Sequence, residues 1–131
     1  MALVPFQSLG VISSSGARAH KGFLNAYNSV APHVLSTISN QIAKYPDYSL
    51  ISTGHSLGGA LASIAGVSLA SNFPDTSLRL FTYGQPRTGN VEYAQMTERL
   101  IGAANILRAV HTTGALFSFF WVCQGCSKII S

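Results

Sequence analysis

The chain has 131 residues, enough to bury a core but no more than one domain, and its 47% hydrophobic against 9% charged residues exclude a disordered polymer. A formal net charge of +4 comes from cations scattered between Arg18 and Lys128, with no basic stripe and no aromatic stacking platform, so nucleic acid is not an expected partner. The longest apolar block, residues 115–123, falls well short of the roughly 20 residues of a spanning helix, so no transmembrane segment is expected.

Taken in order, the first residues are broken by Pro5 and Gln7 and carry no basic run, which does not fit a signal peptide. Ser13-Ser14-Ser15-Gly16 marks a loop. Phe23, Tyr27, Val30, Val34, Ile38 and Ile42 then recur at steps of three and four, the pattern of an amphipathic helix, with Pro32 predicting a kink or a restart and Tyr45-Pro46-Asp47 ending it. Residues 48–53 read as a buried strand. Residues 57–70 read as a helix with Leu57, Leu61, Ile64, Ala65 and Leu69 inward, and with Ala60, Ala62 and Ala65 allowing close packing on the sheet. A turn at residues 72–75 leads to a strand over 78–83 and a loop over 84–89. Asn90 is the expected N-cap, and Glu92 the dipole partner, of a helix reaching about Ile101; residues 105–111 form a last strand. Strand, helix, strand, helix, strand with short connections argues for a parallel sheet with right-handed crossovers and both faces covered. Cys123 and Cys126 form one C-x-x-C without a second ligand pair, which reads as chance, and no metal is expected.

Between the first of these strands and its helix stands Gly54-His55-Ser56-Leu57-Gly58, a G-x-S-x-G pattern that reads as a nucleophile elbow. A serine hydroxyl is a poor nucleophile at neutral pH, so it must stand on a sharp turn where a base can reach it and backbone N–H groups can receive the oxyanion. Gly54 and Gly58 are expected to make that turn possible by sparing the strand and the helix a Cβ, with Gly59 relieving the helix start. The bland alternative for Ser56 is a small residue in a tight turn.

Several stretches resemble the class 3, or fungal-type, lipases, a family that also includes feruloyl esterases. His20-Lys21-Gly22-Phe23 is similar to the start of that family's helix before the elbow, and residues 53–62 (TGHSLGGALA) to its nucleophile segment. Residues 83–90 (YGQPRTGN) are similar to the loop after the next strand, and Arg108-Ala109-Val110-His111 to the strand that leads to the catalytic Asp. The resemblance implies a partial α/β-hydrolase-like parallel sheet with flanking helices over residues 1–113, acting without a cofactor on acylglycerols or related esters at a lipid–water interface. It implies Ser56 as the nucleophile and the Leu57 N–H as an oxyanion donor, and a family that is typically secreted.

The resemblance stops at Thr113, where Gly114 stands near the place of the family's Asp, so residues 114–131 read as an unrelated apolar tail, proposed to be translated intron or out-of-frame sequence, the alternative being a genuine apolar strand or helix that covers the sheet. The first oxyanion donor and the lid are expected upstream of Met1 and the catalytic His beyond Ser131, so the chain is expected to be truncated at both ends and inactive by itself. Asp47 and Asp75 precede strands and fall on the edge opposite the elbow, and Glu92 and Glu98 read as solvated helix positions. His20 and His33 lie at or on the first helix, and His55 is expected to point away from Ser56. Only His111 stands at a strand's C-terminal end, where it could act as a surrogate base, although a plain strand-end histidine is the better reading. Arg87 and Asn90 read as loop-fixing hydrogen bonders. The competing function is a non-catalytic protein that binds a lipid surface or a partner through the same segment.

Overall fold

A computed structural model describes residues 2–11 and 16–110, which leaves His111 and the tail outside the described residues. Strand β1 (Leu3–Pro5) pairs antiparallel with β2 (Arg18–His20), and the chain passes directly into helix α1 (Lys21–Lys44). Pro32 neither ends nor restarts α1. It is exposed, so the carbonyl deprived of its N–H partner can turn to water. The buried stripe of α1 is Leu24, Tyr27, Ala31 and Leu35, whereas Val30 is 49% exposed, contrary to the expected face. Hydrophobic spacing alone admitted either stripe; the neighbouring helix decides which one is inward, and Ala31 permits close approach.

Strand β3 (Leu50–His55) starts and ends two residues later than its apolar run suggested. Helix α2 (Leu57–Asn72), strand β4 (Leu78–Tyr83), helix α3 (Val91–Ile101), a 3-10 turn at Ala103–Asn105 and strand β5 (Ile106–Ala109) follow. The sheet is parallel in the order β3-β4-β5, with Leu50 opposite Leu78, His55 opposite Tyr83, and Leu80 opposite Ile106.

Both crossovers advance in the same direction along the sheet, and right-handedness therefore puts α2 and α3 on one side of it. Helix α2 is consequently enclosed, with Ala60, Ala62, Ile64, Val67 and Leu69 buried between the sheet and the outer helices. It is apolar nearly all round, as a helix covered on every side must be. One cluster joins Phe6, Leu24, Tyr27, Ile64, Tyr93 and Met96; a second joins Leu35, Ala62, Leu69, Leu78, Leu80 and Ile101. The Ser52 hydroxyl donates to the Ala62 carbonyl at 2.8 Å and ties β3 to α2.

Side chains that alternate to the other face of the sheet meet no such cover: Ile51 is 55% and Tyr83 45% exposed, and Thr53 and Arg79 are exposed too. The expectation that both faces would be covered therefore holds for one face only among the described residues. For the same reason β3 is not the fully buried strand its composition suggested.

Candidate active site

The chain changes from strand to helix within Ser56, whose φ of 52° and ψ of −124° make it the only non-glycine residue with positive φ among those described. An L-residue held there costs of order 1–3 kcal/mol, so the surroundings must fix it firmly. The Ser56 N–H donates to the Tyr83 carbonyl at 2.9 Å, and the Ser56 carbonyl accepts from the N–H groups of Gly59 at 2.9 Å and Ala60 at 3.3 Å. The residue is exposed at the C-terminal end of β3, so its hydroxyl is held where solvent and ligands reach.

Two glycines allow this turn, but not the pair expected. A Cβ on Gly54 would overlap the Gly58 carbonyl, and one on Gly59 would press on the Gln85 Cβ and the Gly54 carbonyl, both at 3.2 Å. A Cβ on Gly58 would meet nothing within 4 Å. The helix leaves the strand at an angle that brings its third residue, not its second, against the loop after β4.

Leu57 and Gly58 open α2, and first-turn N–H groups have no acceptor within their own helix. No acidic side chain stands in that turn, so its positive dipole end is not neutralised from within α2. An oxygen that becomes negative beside Ser56 would find donors there. The Leu57 side chain, expected inward, is instead 56% exposed beside the turn, because the first residue of α2 lies beyond the last strand residue it could pack upon.

The other candidates are dispersed. The His55 ring lies toward Gly84, its Nε2 3.7 Å from where a Cβ there would stand, on the face that alternation assigns it. His20 packs on Phe23 with ring centroids 4.3 Å apart, and His33 is exposed on α1. Asp47 and Asp75 are exposed and precede β3 and β4, at the sheet's other end. Glu92 is exposed, but Glu98, read as solvated, is half-buried. Arg87 Nε donates to the Gly89 carbonyl at 3.1 Å. The Asn90 Oδ1 accepts from Tyr93 N–H and Arg18 N–H, and its Nδ2 donates to the Gly16 carbonyl.

Sequence reasoning placed the loop after β4 but missed that Gln85 within it supports the turn. Gln85 is buried, its Nε2 donates to Thr88 Oγ1 at 2.7 Å, and its carbonyl accepts from Arg108 Nη2 at 2.9 Å. Its place between Gly84 and Pro86 suggested a loop and gave no sign of burial. Among the described residues no group of three or more His, Cys, Asp and Glu could hold a metal ion, and no helix is long and apolar enough to cross a membrane.

A family model described as lipase (class 3) matches residues 2–115. The chain is 42% identical over 86 residues to a lipase of Rhizopus niveus, covering 63% of this chain and 22% of that one. It is 38% identical over 105 residues to a secreted alkaline triacylglycerol lipase of Penicillium cyclopium, covering 80% and 37%. Among solved structures it is similar to a triacylglycerol lipase from Penicillium expansum, with a TM-score of 0.73, 35% identity, and coverage of 83% of this chain and 41% of that one. A triacylglycerol lipase whose catalytic centre is formed by a serine-protease triad matches with a TM-score of 0.70, 35% identity, and coverage of 84% and 41%. The chain thus spans well under half the length of these relatives.

Proposed function

Because the chain belongs to the class 3 lipase family and shares its α/β-hydrolase fold, we propose that it carries the nucleophile segment of a serine hydrolase for acylglycerols or related carboxylic esters. The observation that carries the reading is the strained Ser56, exposed at a strand end and backed by the opening turn of α2. In this reading Ser56 Oγ attacks the ester carbonyl carbon, its proton passing to a base. The carbonyl oxygen takes up the electron pair and is held by the Leu57 N–H, the alcohol leaves, and water then releases the acid. Leu57 and Tyr83, exposed next to the turn, offer apolar surface to the acyl chain and to a lipid–water interface.

No described histidine or carboxylate is presented to Ser56, and His111 lies outside the described residues. A nucleophile without its base and acid loses catalytic advantage by factors of order a thousand or more. The purified chain is therefore expected to hydrolyse a short-chain p-nitrophenyl ester slowly, and Ser56→Ala to remove the part of that rate above background. Equal rates for the two would make Ser56 a relic in this chain and favour a non-catalytic, surface-binding role. Ordinary lipase turnover would refute the missing base.

A further inference from the structure

We infer that Arg108 is a positioning residue for the nucleophile turn, acting through Gln85, rather than a cation held out toward substrate. The inference rests on the proposed role of Ser56. Arg108 is half-buried on β5, opposite Thr82 of β4 and one strand beyond the strand that touches the elbow. Its Nη2 donates to the Gln85 carbonyl at 2.9 Å, a charge-assisted bond of about twice the strength of a neutral one. One residue away, the Gly84 N–H donates to the Ala109 carbonyl at 2.7 Å, so β5 holds the loop after β4 at two successive residues.

The end of β4 and that loop in turn hold the turn at two points. The Tyr83 carbonyl accepts the Ser56 N–H at 2.9 Å, and Gln85 lies against the first turn of α2, with its Cβ 3.2 Å and its Cα 3.4 Å from where a Gly59 Cβ would stand. Gln85 cannot drift away, because it is buried and its side chain is bonded to Thr88. A positive-φ serine persists only where its neighbours over-determine it. The path Arg108, Gln85, Gly59 supplies that constraint from β5, two strands along the sheet from β3, and it aims the N–H groups of Leu57 and Gly58 past Ser56.

The test uses the full chain with Ser56→Cys, Cys123→Ser and Cys126→Ser, and reads the pH dependence of iodoacetamide alkylation. A thiol at a helix N-terminus should ionise below its ordinary value of about 8.5. Arg108→Met and, independently, Gln85→Gly should each raise that midpoint by about one unit, with the circular dichroism spectrum unchanged. Gln85→Gly keeps every charge, so its shift cannot come from loss of a cation. Should it fail to fold, Gly59→Ala, which pushes the helix start off Gln85, replaces it with the same expected direction. A shift with Arg108→Met alone would mean that Arg108 acts by charge and would overturn the inference, as would no shift in either variant. An unlowered thiol in the parent, alongside Ser56-dependent ester hydrolysis in the native chain, would sink the positioning path and spare the nucleophile. A lowered thiol that responds to Gln85→Gly, with hydrolysis independent of Ser56, would do the reverse.

Discussion

At Ser56 the backbone angles of 52° and −124° lie where a Cβ crowds its own peptide units, and where a tight turn ordinarily uses glycine. Serine stands there at the expense of stability, which fits the proposed need for its hydroxyl. Ser56→Ala removes the hydroxyl and keeps the strain, whereas Ser56→Gly removes both. The glycine variant should therefore be more stable than the alanine variant by about 1 kcal/mol or more, a difference of roughly 3–6 °C in Tm, with both equally deficient in ester hydrolysis. Coincident thermal transitions for the two variants would mean that the turn stores no strain.

Helix α3 shows how an element is fastened from its first turn inward. Asn90 caps it through Tyr93 N–H, and Tyr93 itself is buried, its ring 5.4 Å from Phe6 and its hydroxyl 2.9 Å from Ser63 Oγ of α2. Burial pushes the Tyr93 phenol up to about 12, and burial raises Tyr27 as well. Unfolded, such a phenol ionises near 10. The stability contributed by keeping Tyr93 neutral is thus complete below pH 10 and is lost as the pH rises from there toward about 12, by roughly 1.4 kcal/mol per pH unit. Tyr93→Phe should cost about 1–2 kcal/mol at pH 7, because Ser63 loses its partner, but should decline less steeply above pH 10. Urea unfolding at pH 7, 10 and 11 compares the two slopes, and parallel slopes would contradict this account.

At the scale of the molecule the decisive feature is asymmetry: among the described residues the helices lie on one side of the sheet, while Ile51, Thr53, Arg79 and Tyr83 are exposed on the other. Among the described residues β3 is also an edge strand, and Leu50–His55 carries neither a formally charged residue nor a proline to discourage pairing. The chain by itself should associate at micromolar concentration, bind a hydrophobic dye and unfold with low cooperativity. Sedimentation, dye fluorescence and calorimetry test this together. A monomer with a sharp thermal transition and no dye binding would show that this face is satisfied within the chain.

Local signals were sufficient to read the order of helices and strands from α1 onward, the Asn90 cap and the place of the elbow, because each depends on spacing and side-chain chemistry within a few residues; the short β1–β2 pair, whose partners lie about 15 residues apart, was not read. The G-x-S-x-G pattern located Ser56, and its flanking runs gave the strand before it and the helix after it. Residues distant in sequence decided the rest. Packing of α2 chose Leu24, Tyr27, Ala31 and Leu35 over the stripe through Val30, and the angle between β3 and α2 made Gly59, not Gly58, the sterically constrained glycine. Periodicity reports that a helix has an apolar side, but two near-equal stripes differ only in what they meet. In the same way, nothing in the order Tyr83-Gly84-Gln85 announced that a buried glutamine would support the serine turn, since that depends on β5 bringing Arg108 beside it, 23 residues further along the chain.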